Sequence, residues 1–174
     1  MSSSTTKENN KEKHKLANSF MLWFHNPTEK NWELASYHAI LEFKSVQEYF
    51  VLENQVDDFL IKNGMFFMMK NDVEPIWEHE KNVDGGCISI RLSTNESYEQ
   101  WNNIVQHFVS GNLPDNVNGI NISPKRNANI IKIWTSEQIT SDYYKTLPNT
   151  LNIDCTNVRY RSHKDGIEKD KMKR

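Results

Sequence analysis

Seven short runs constrain the architecture of this chain: NSFMLWFH from Asn18, YHAILEF from Tyr37, MFFMMK from Met65, GCISIRL from Gly86, GINIS from Gly119, NIIKIW from Asn129 and TNVRYR from Thr156. Each is apolar or alternating and is bounded by Asn, Gly, Pro or Asp, the pattern of a β-strand closed by turns. None has the length of apolar helix needed to span a bilayer.

Three other segments carry helical signals. Ser45 and Glu48 make a capping box around an apolar set of Val46, Tyr49, Phe50 and Val56. Ser93 and Glu96 do the same ahead of Tyr98, Trp101, Ile104, Val105 and Phe108, with Gly111 placed to stop the helix. Thr135 and Gln138 precede Ile139, Tyr143 and Leu147. All three are amphipathic and need a surface to cover. Without a regular βαβ rhythm or a Gly-rich phosphate loop, the expected fold is a single α+β domain, a mostly antiparallel sheet with three helices on one face. The other face is left to hold a ligand. Residues 1–13 are expected to be a disordered polar tail, 14–164 the folded domain and 165–174 a charged tail.

Charge and cysteine content narrow the function classes. A net charge of -2 speaks against a binder that follows a nucleic-acid strand by phosphate attraction alone, so any nucleic-acid ligand must be read locally. Cys87 and Cys155 lie far apart and outside any CxxC pattern, which indicates neither a disulfide framework nor a metal site. The run MSSSTTKENNKEKHK lacks the apolar core of a secretory signal, so the expected compartment is the cytoplasm, with the nucleus or a host cytoplasm as variants of it.

The tryptophans separate into two kinds. Trp23 lies in a strand run and Trp101 on a helical stripe, where core packing explains both. Trp32 follows the turn-rich NPTEKN, and Trp77 sits in EPIWEHEKN among carboxylates. Each of these two is either a ring folded back over the core or a plate that binds a ligand. Two loop indoles with a carboxylate beside them suit a flat cationic base. Stacking and cation–π attraction contribute about 2 kcal/mol when desolvated. Glu78 would accept two hydrogen bonds from a guanine Watson–Crick edge, about 1.5–3 kcal/mol each. The combination fits 7-methylguanine.

With these residues in order, the chain resembles the eukaryotic translation initiation factor 4E proteins, which bind the mRNA 5′ cap. The likeness runs from His14 to Asp165. It rests on H-x-L at His14–Leu16, LWF at Leu22–Phe24, Trp32, EPIWEHEKN, Gly85-Gly86, Trp101, IKIW ending at Trp134, and YRSH at Tyr160–His163. The resemblance implies a curved sheet with three helices on its convex face and a cap slot on the concave one. It implies that Trp32 and Trp77 sandwich the methylated base, Glu78 and the Trp77 backbone N–H hold its edge, and Trp134 touches the N7 methyl. It also implies a scaffold partner of the 4G type on the convex face, met by His14, Leu16, Val46, Phe50, Asn102, Gln106 and Gly111.

Departures from the family pattern fall in two places. The phosphate clamp has Cys87 where an arginine is usual and Ile130 where a lysine is usual, leaving Lys125 as the matching cation with Arg126 beside it. Arg91, two strand steps beyond Cys87, shares its face and either compensates or is a solvated strand residue. Affinity is therefore expected to depend weakly on the cap phosphates. On the convex side, Asn102 and Gln106 replace apolar residues and Phe50 replaces a tryptophan, so a dedicated partner is expected.

The resulting expectation is a monomeric, non-enzymatic cap-binding protein that needs no cofactor or metal, binds capped mRNA and recruits a scaffold initiation factor. The alternative is a cap-binding repressor or a decoy that does not support initiation. An enzyme would have to use Glu78 and Glu80 as an acid/base pair or His79 as a base, and no nucleophile accompanies them.

Overall fold

The computed structural model describes residues 13–140 and 142–172, so the polar segment 1–12 lies outside the described residues. All seven runs form strands: β1 (Lys15–His25), β2 (Tyr37–Ser45), β3 (Met65–Lys70), β4 (Gly86–Leu92), β5 (Val117–Lys125), β6 (Ala128–Thr135) and β7 (Val158–Ser162). They make one curved sheet in the order β2-β1-β3-β5-β6-β4-β7. Every neighbouring pair is antiparallel.

Alternation along the strands sorts their side chains onto two faces. Phe20, Leu22, Phe66, Met68, Ile88, Ile90, Ile120, Ile122, Ile131 and Ile133 point to one face and pack under the helices. Trp23, Met65, Phe67, Met69, Cys87 and Trp134 line the other, with Tyr37, Val73, Ile76 and Trp77 closing over them. Both faces are thus apolar in the middle of the sheet, which explains why MFFMMK reads as a continuous hydrophobic run instead of an alternating one.

Three helices cover the first face. Helix α1 (Val46–Glu53) begins where Ser45 Oγ accepts the Glu48 N–H, as its capping box predicts, and buries Tyr49 and Leu52. Helix α3 (Ser97–Val109) buries Trp101, Ile104, Val105, Phe108 and Val109 at helical spacing. It ends in a Schellman turn: Gly111, at φ 77°, donates to Phe108 O, and Asn112 donates to His107 O. The third helix is α2 (Asp58–Asn63), capped by Asp57, which accepts the Leu60 N–H at 2.9 Å.

That third helix corrects the expectation for Thr135–Leu147. Thr135 stays in the β6 ladder, paired with Gly86, and its hydroxyl donates to Glu137 O at 2.9 Å, so it cannot cap a helix. Among the described residues up to Leu151, the chain beyond makes short 3-10 turns at Tyr143–Thr146 and Asn149–Leu151, and Pro148 precedes the second. A further helix, α4 (His163–Lys171), occupies most of the segment expected to be a charged tail; it starts at Ser162, whose hydroxyl faces the Asp165 N–H. No helix of the described residues is long and apolar enough to cross a membrane.

Close approach of the neighbouring strand β3 leaves little room for a side chain at Gly119. A Cβ there would lie 2.2 Å from Met69 Sδ and 2.9 Å from Met68 O. Gly119→Ala should therefore destabilise the fold by about 1–3 kcal/mol, as overpacking does. Equilibrium urea unfolding measures this, with an unchanged midpoint as the contrary result.

Candidate functional site

Two loops rise over the same face of the sheet. The first follows β1 and is folded by short side-chain bridges: Asn26 Oδ1 accepts from Thr28 N–H, Glu29 Oε1 from Asn31 N–H, and Asn31 Oδ1 from Glu33 N–H. This presents Trp32, still 49% exposed, with its ring flat on His25 at 4.4 Å between centroids and 5° between planes. His25 is wholly buried, and its Nε2 donates to Asn31 O at 2.8 Å, which fixes the imidazole under the indole.

The second loop joins β3 to β4 and hangs on Asn82. This buried amide donates to Glu74 O and Ile76 O, both at 2.9 Å. Its Oδ1 accepts from Asn118, and its backbone carbonyl accepts from His163 Nδ1 at 2.7 Å. Asn118 is available because β5 bulges between Val117 and Gly119, leaving it out of the ladder and turned toward the loop. Trp77, half-buried at the loop tip, lies nearly parallel to His163, with centroids 6.1 Å apart and planes at 14°. Gly166 of α4 is packed against the same indole, where a Cβ would come within 2.7 Å of the ring.

Each loop tryptophan is therefore backed by a buried imidazole. Burial holds His163 neutral by lowering its pKa to about 4 against a smaller upward pull from the Asn82 carbonyl. With Nδ1–H given to Asn82, Nε2 is a lone pair that meets no partner. Trp134 lies below, 2% exposed, with centroids 4.8 Å from His163 and its Nε1–H donated to Asn121 Oδ1 at 2.8 Å.

Tyr37 connects the two loops. It packs edge-on to Phe67 at 5.2 Å, against His25 at 4.7 Å and near Trp32 at 6.5 Å. Burial raises its phenol pKa well above the usual range, and the negative charge of Glu78 raises it further. Glu78 itself is exposed, so the carboxylate stands in solvent beside the aromatic cluster. His79 Nδ1 accepts the Lys81 N–H, and Glu80 is exposed. Among the described residues no His, Cys, Asp and Glu side chains group as a metal site.

The cations named from the sequence are spread out. Lys125 and Arg126 are exposed at the β5–β6 turn, and Arg91 is exposed near the end of β4, opposite Ile130. Sequence reasoning missed three others on this face: Lys132, Arg159 and Arg161.

On the helical side, a groove of about 360 Å³ is lined by Leu16, Val46, Tyr49, Phe50, Gln106 and His107 among others. His14 adjoins it, its carbonyl accepting from Val46 N–H and its amide donating to Gln47 Oε1. Asn102 lines a smaller neighbouring cavity with Leu52 and Val56, and Gly111 lies beyond at the exposed end of α3. Gln106 donates to Glu53 Oε1 at 2.8 Å, and Tyr49 OH donates to the same oxygen at 3.2 Å. Tyr49, Glu53 and His107 were not named from the sequence as partner-facing residues, because their place in the groove depends on how α1 and α3 lie together.

Comparison with known proteins gives the family. Residues 15–174 match the family model for eukaryotic initiation factor 4E. The chain is 29% identical over 172 residues to eukaryotic translation initiation factor 4E of Dictyostelium discoideum, covering 91% of this chain and 68% of that one. It is 30% identical over 135 residues to the Xenopus laevis protein of the same name, covering 72% of this chain and 63% of that one. The chain thus spans about two thirds of the length of these relatives. Its fold is similar to that of Caenorhabditis elegans eIF4E-3 in a complex with the 4E-binding protein Mextli and a cap analog, with TM-score 0.78, 19% identity, and 90% and 96% of the two chains covered. It is also similar to Ascaris suum eIF4E-3 with an m7G cap, with TM-score 0.75, 21% identity, and 87% and 92% covered. With the match running through both tryptophan loops and the whole sheet, the chain belongs to the eukaryotic initiation factor 4E family.

Proposed function

We propose that this protein binds the 7-methylguanosine 5′ cap of mRNA at the aromatic end of the sheet and serves translation initiation by holding a scaffold initiation factor of the 4G type on its convex groove, acting as a monomer in the cytoplasm. The observation that carries the reading is the matched construction of Trp32 on His25 and Trp77 on His163. A buried imidazole behind each indole holds the ring in place and leaves the opposite face for a ligand. The ordering entropy is then met before binding, which is what preorganisation means for a stacking site.

In this reading the methylated base stacks between Trp32 and Trp77, and its positive charge meets the negative faces of both rings. Glu78 accepts the N1–H and N2–H of guanine, the Trp77 backbone N–H donates to the guanine oxygen, and Trp134 is the floor toward which the N7 methyl points. A neutral His163 suits this role, since an imidazolium would repel the cationic base. In the same reading, Lys125, Arg126 and Arg91 are the exposed cations available to phosphates or to the first nucleotides beyond the slot.

Titration calorimetry with nucleoside diphosphates tests the slot. 7-Methylguanosine diphosphate should bind at least about tenfold more tightly than guanosine diphosphate, a difference of about 1.4 kcal/mol from the cation. Trp32→Ala, Trp77→Ala and Glu78→Ala should each lose about tenfold or more of that affinity. Equal affinity for the two nucleotides would rule the cap reading out.

The convex groove carries a second test. Its apolar floor of Leu16, Val46 and Phe50 fits a helical peptide, but Gln106, tied to Glu53, puts polar groups at the rim. Asn102→Leu with Gln106→Leu should raise the affinity of a generic scaffold peptide about tenfold, and Phe50→Ala should lower it, because burial of one aliphatic side chain is worth about 1.5–3 kcal/mol. A generic peptide that already binds the unmodified protein tightly, with no response to the double substitution, would leave no case for a retuned partner.

A further inference from the structure

The family's usual clamp positions carry Cys87 and Ile130 here, yet the sheet register assembles other cations beside them. On the concave face two cross-strand rows run side by side. One passes through Trp23, Phe67, Asn121, Lys132, Ser89 and Arg159. The next passes through Met69, Gly119, Trp134, Cys87 and Arg161. The small side chains Ser89 and Cys87 therefore lie in a trough on β4, with Lys132 on one flank and Arg159 and Arg161 on the other. Resting on the cap reading above, we propose that Lys132, Arg159 and Arg161 form a relocated anion site that takes the phosphate chain of the capped ligand.

Position along the strands favours Lys132 and Arg161 over Arg91. Lys132 is two residues from Trp134 on β6 and Arg161 shares a cross-strand row with it, about 7 Å and 10 Å away at strand spacings. Arg91 pairs with Ile130, four residues from Trp134 and about 13 Å along the strand. The positive charges of Lys132 and Arg161 both act on the Cys87 thiol, pulling its pKa down against the larger upward effect of burial. The charge of Lys132 also reaches His163, the ring behind Trp77. Lys132 thus stands within electrostatic reach of both the trough and the ring behind Trp77.

The row also has no internal counter-charge. Among the described residues none of Lys132, Arg159 and Arg161 forms an ion pair, whereas Lys13, Lys62, Lys81, Lys145 and Lys164 each do. Both arginines are exposed and Lys132 is partly so. Like charges gathered on neighbouring positions of one face repel. An anion seated over Ser89 turns that repulsion into binding energy, with the arginine forks matched to phosphate oxygens. This reverses the expectation that cap phosphates contribute little.

The test separates the row from the base slot. Wild-type protein and the variants Lys132→Gln, Arg159→Gln, Arg161→Gln and their triple combination are titrated with 7-methylguanosine, its triphosphate and inorganic tripolyphosphate, with Lys44→Gln on the far edge strand as control and circular dichroism to verify folding. The triphosphate should bind wild type more tightly than the nucleoside. Arg161→Gln and Lys132→Gln should each cut that increment about tenfold, leaving nucleoside affinity unchanged, and the salt slope should fall by about 0.7 for each phosphate charge no longer neutralised. A phosphate increment that survives in the triple variant overturns the proposal while the base slot stands. If the nucleoside fails to bind at all, the cap reading falls and tripolyphosphate decides the row: weaker binding by the triple variant than by wild type upholds it, and equal affinity overturns it.

Discussion

Everything in this molecule depends on a sheet that is apolar on both faces at its centre. A sheet with one wet face would alternate strictly and need helices on one side only. Here Phe66 and Met68 go under the helices, whereas Phe67, Met69 and Trp134 go under a cover of Tyr37, Val73, Ile76 and Trp77. Among the described residues that second face has no helix of its own apart from α4 at one end, so loops cover it. A loop that covers an apolar surface is also a loop that can present rings, and the placement of Trp32 and Trp77 follows from that requirement.

Loops carry unpaired backbone groups, and burying them needs partners. The β3–β4 loop meets this through Asn82, which satisfies two carbonyls with one amide and passes its own carbonyl to His163. The bulge at Asn118 supplies the remaining donor. Trp77 is therefore fixed by a polar network that it does not itself join. The β1–β2 loop reaches the same result with Asn26, Glu29 and Asn31 bridges and with His25 beneath Trp32.

The two candidate faces share one sheet. Trp134 on the concave side and Ile131 and Ile133 on the convex side belong to the same strand, and the register that seats one seats the other. A slip of one residue would exchange the faces, burying Lys132 under α3 and exposing Ile133. The cationic row is thus set by the same pairing that builds the core.

Much of the fold was legible in the sequence because periodicity is local. MFFMMK became β3 to the residue, Ser45 capped α1, and Gly111 stopped α3, since each signal lies within one turn or one strand. The loops bearing Trp32 and Trp77 were legible for the same reason. The failures were also local in kind: Thr135 resembled a helix cap but was held by the β6 ladder, and the short cap at Asp57 gave too little apolar pattern to be noticed. Local spacing tells which face of a strand a residue takes, as it did for Arg91 and Cys87. It does not tell which strand lies alongside. That His25 would lie under Trp32 depended on how its loop folds back over β1, and that His163 would back Trp77, that Asn82 would receive it, and that Lys132 would stand beside Arg159 and Arg161 was decided only by tertiary pairing, because these last neighbours are separated by tens of residues of chain.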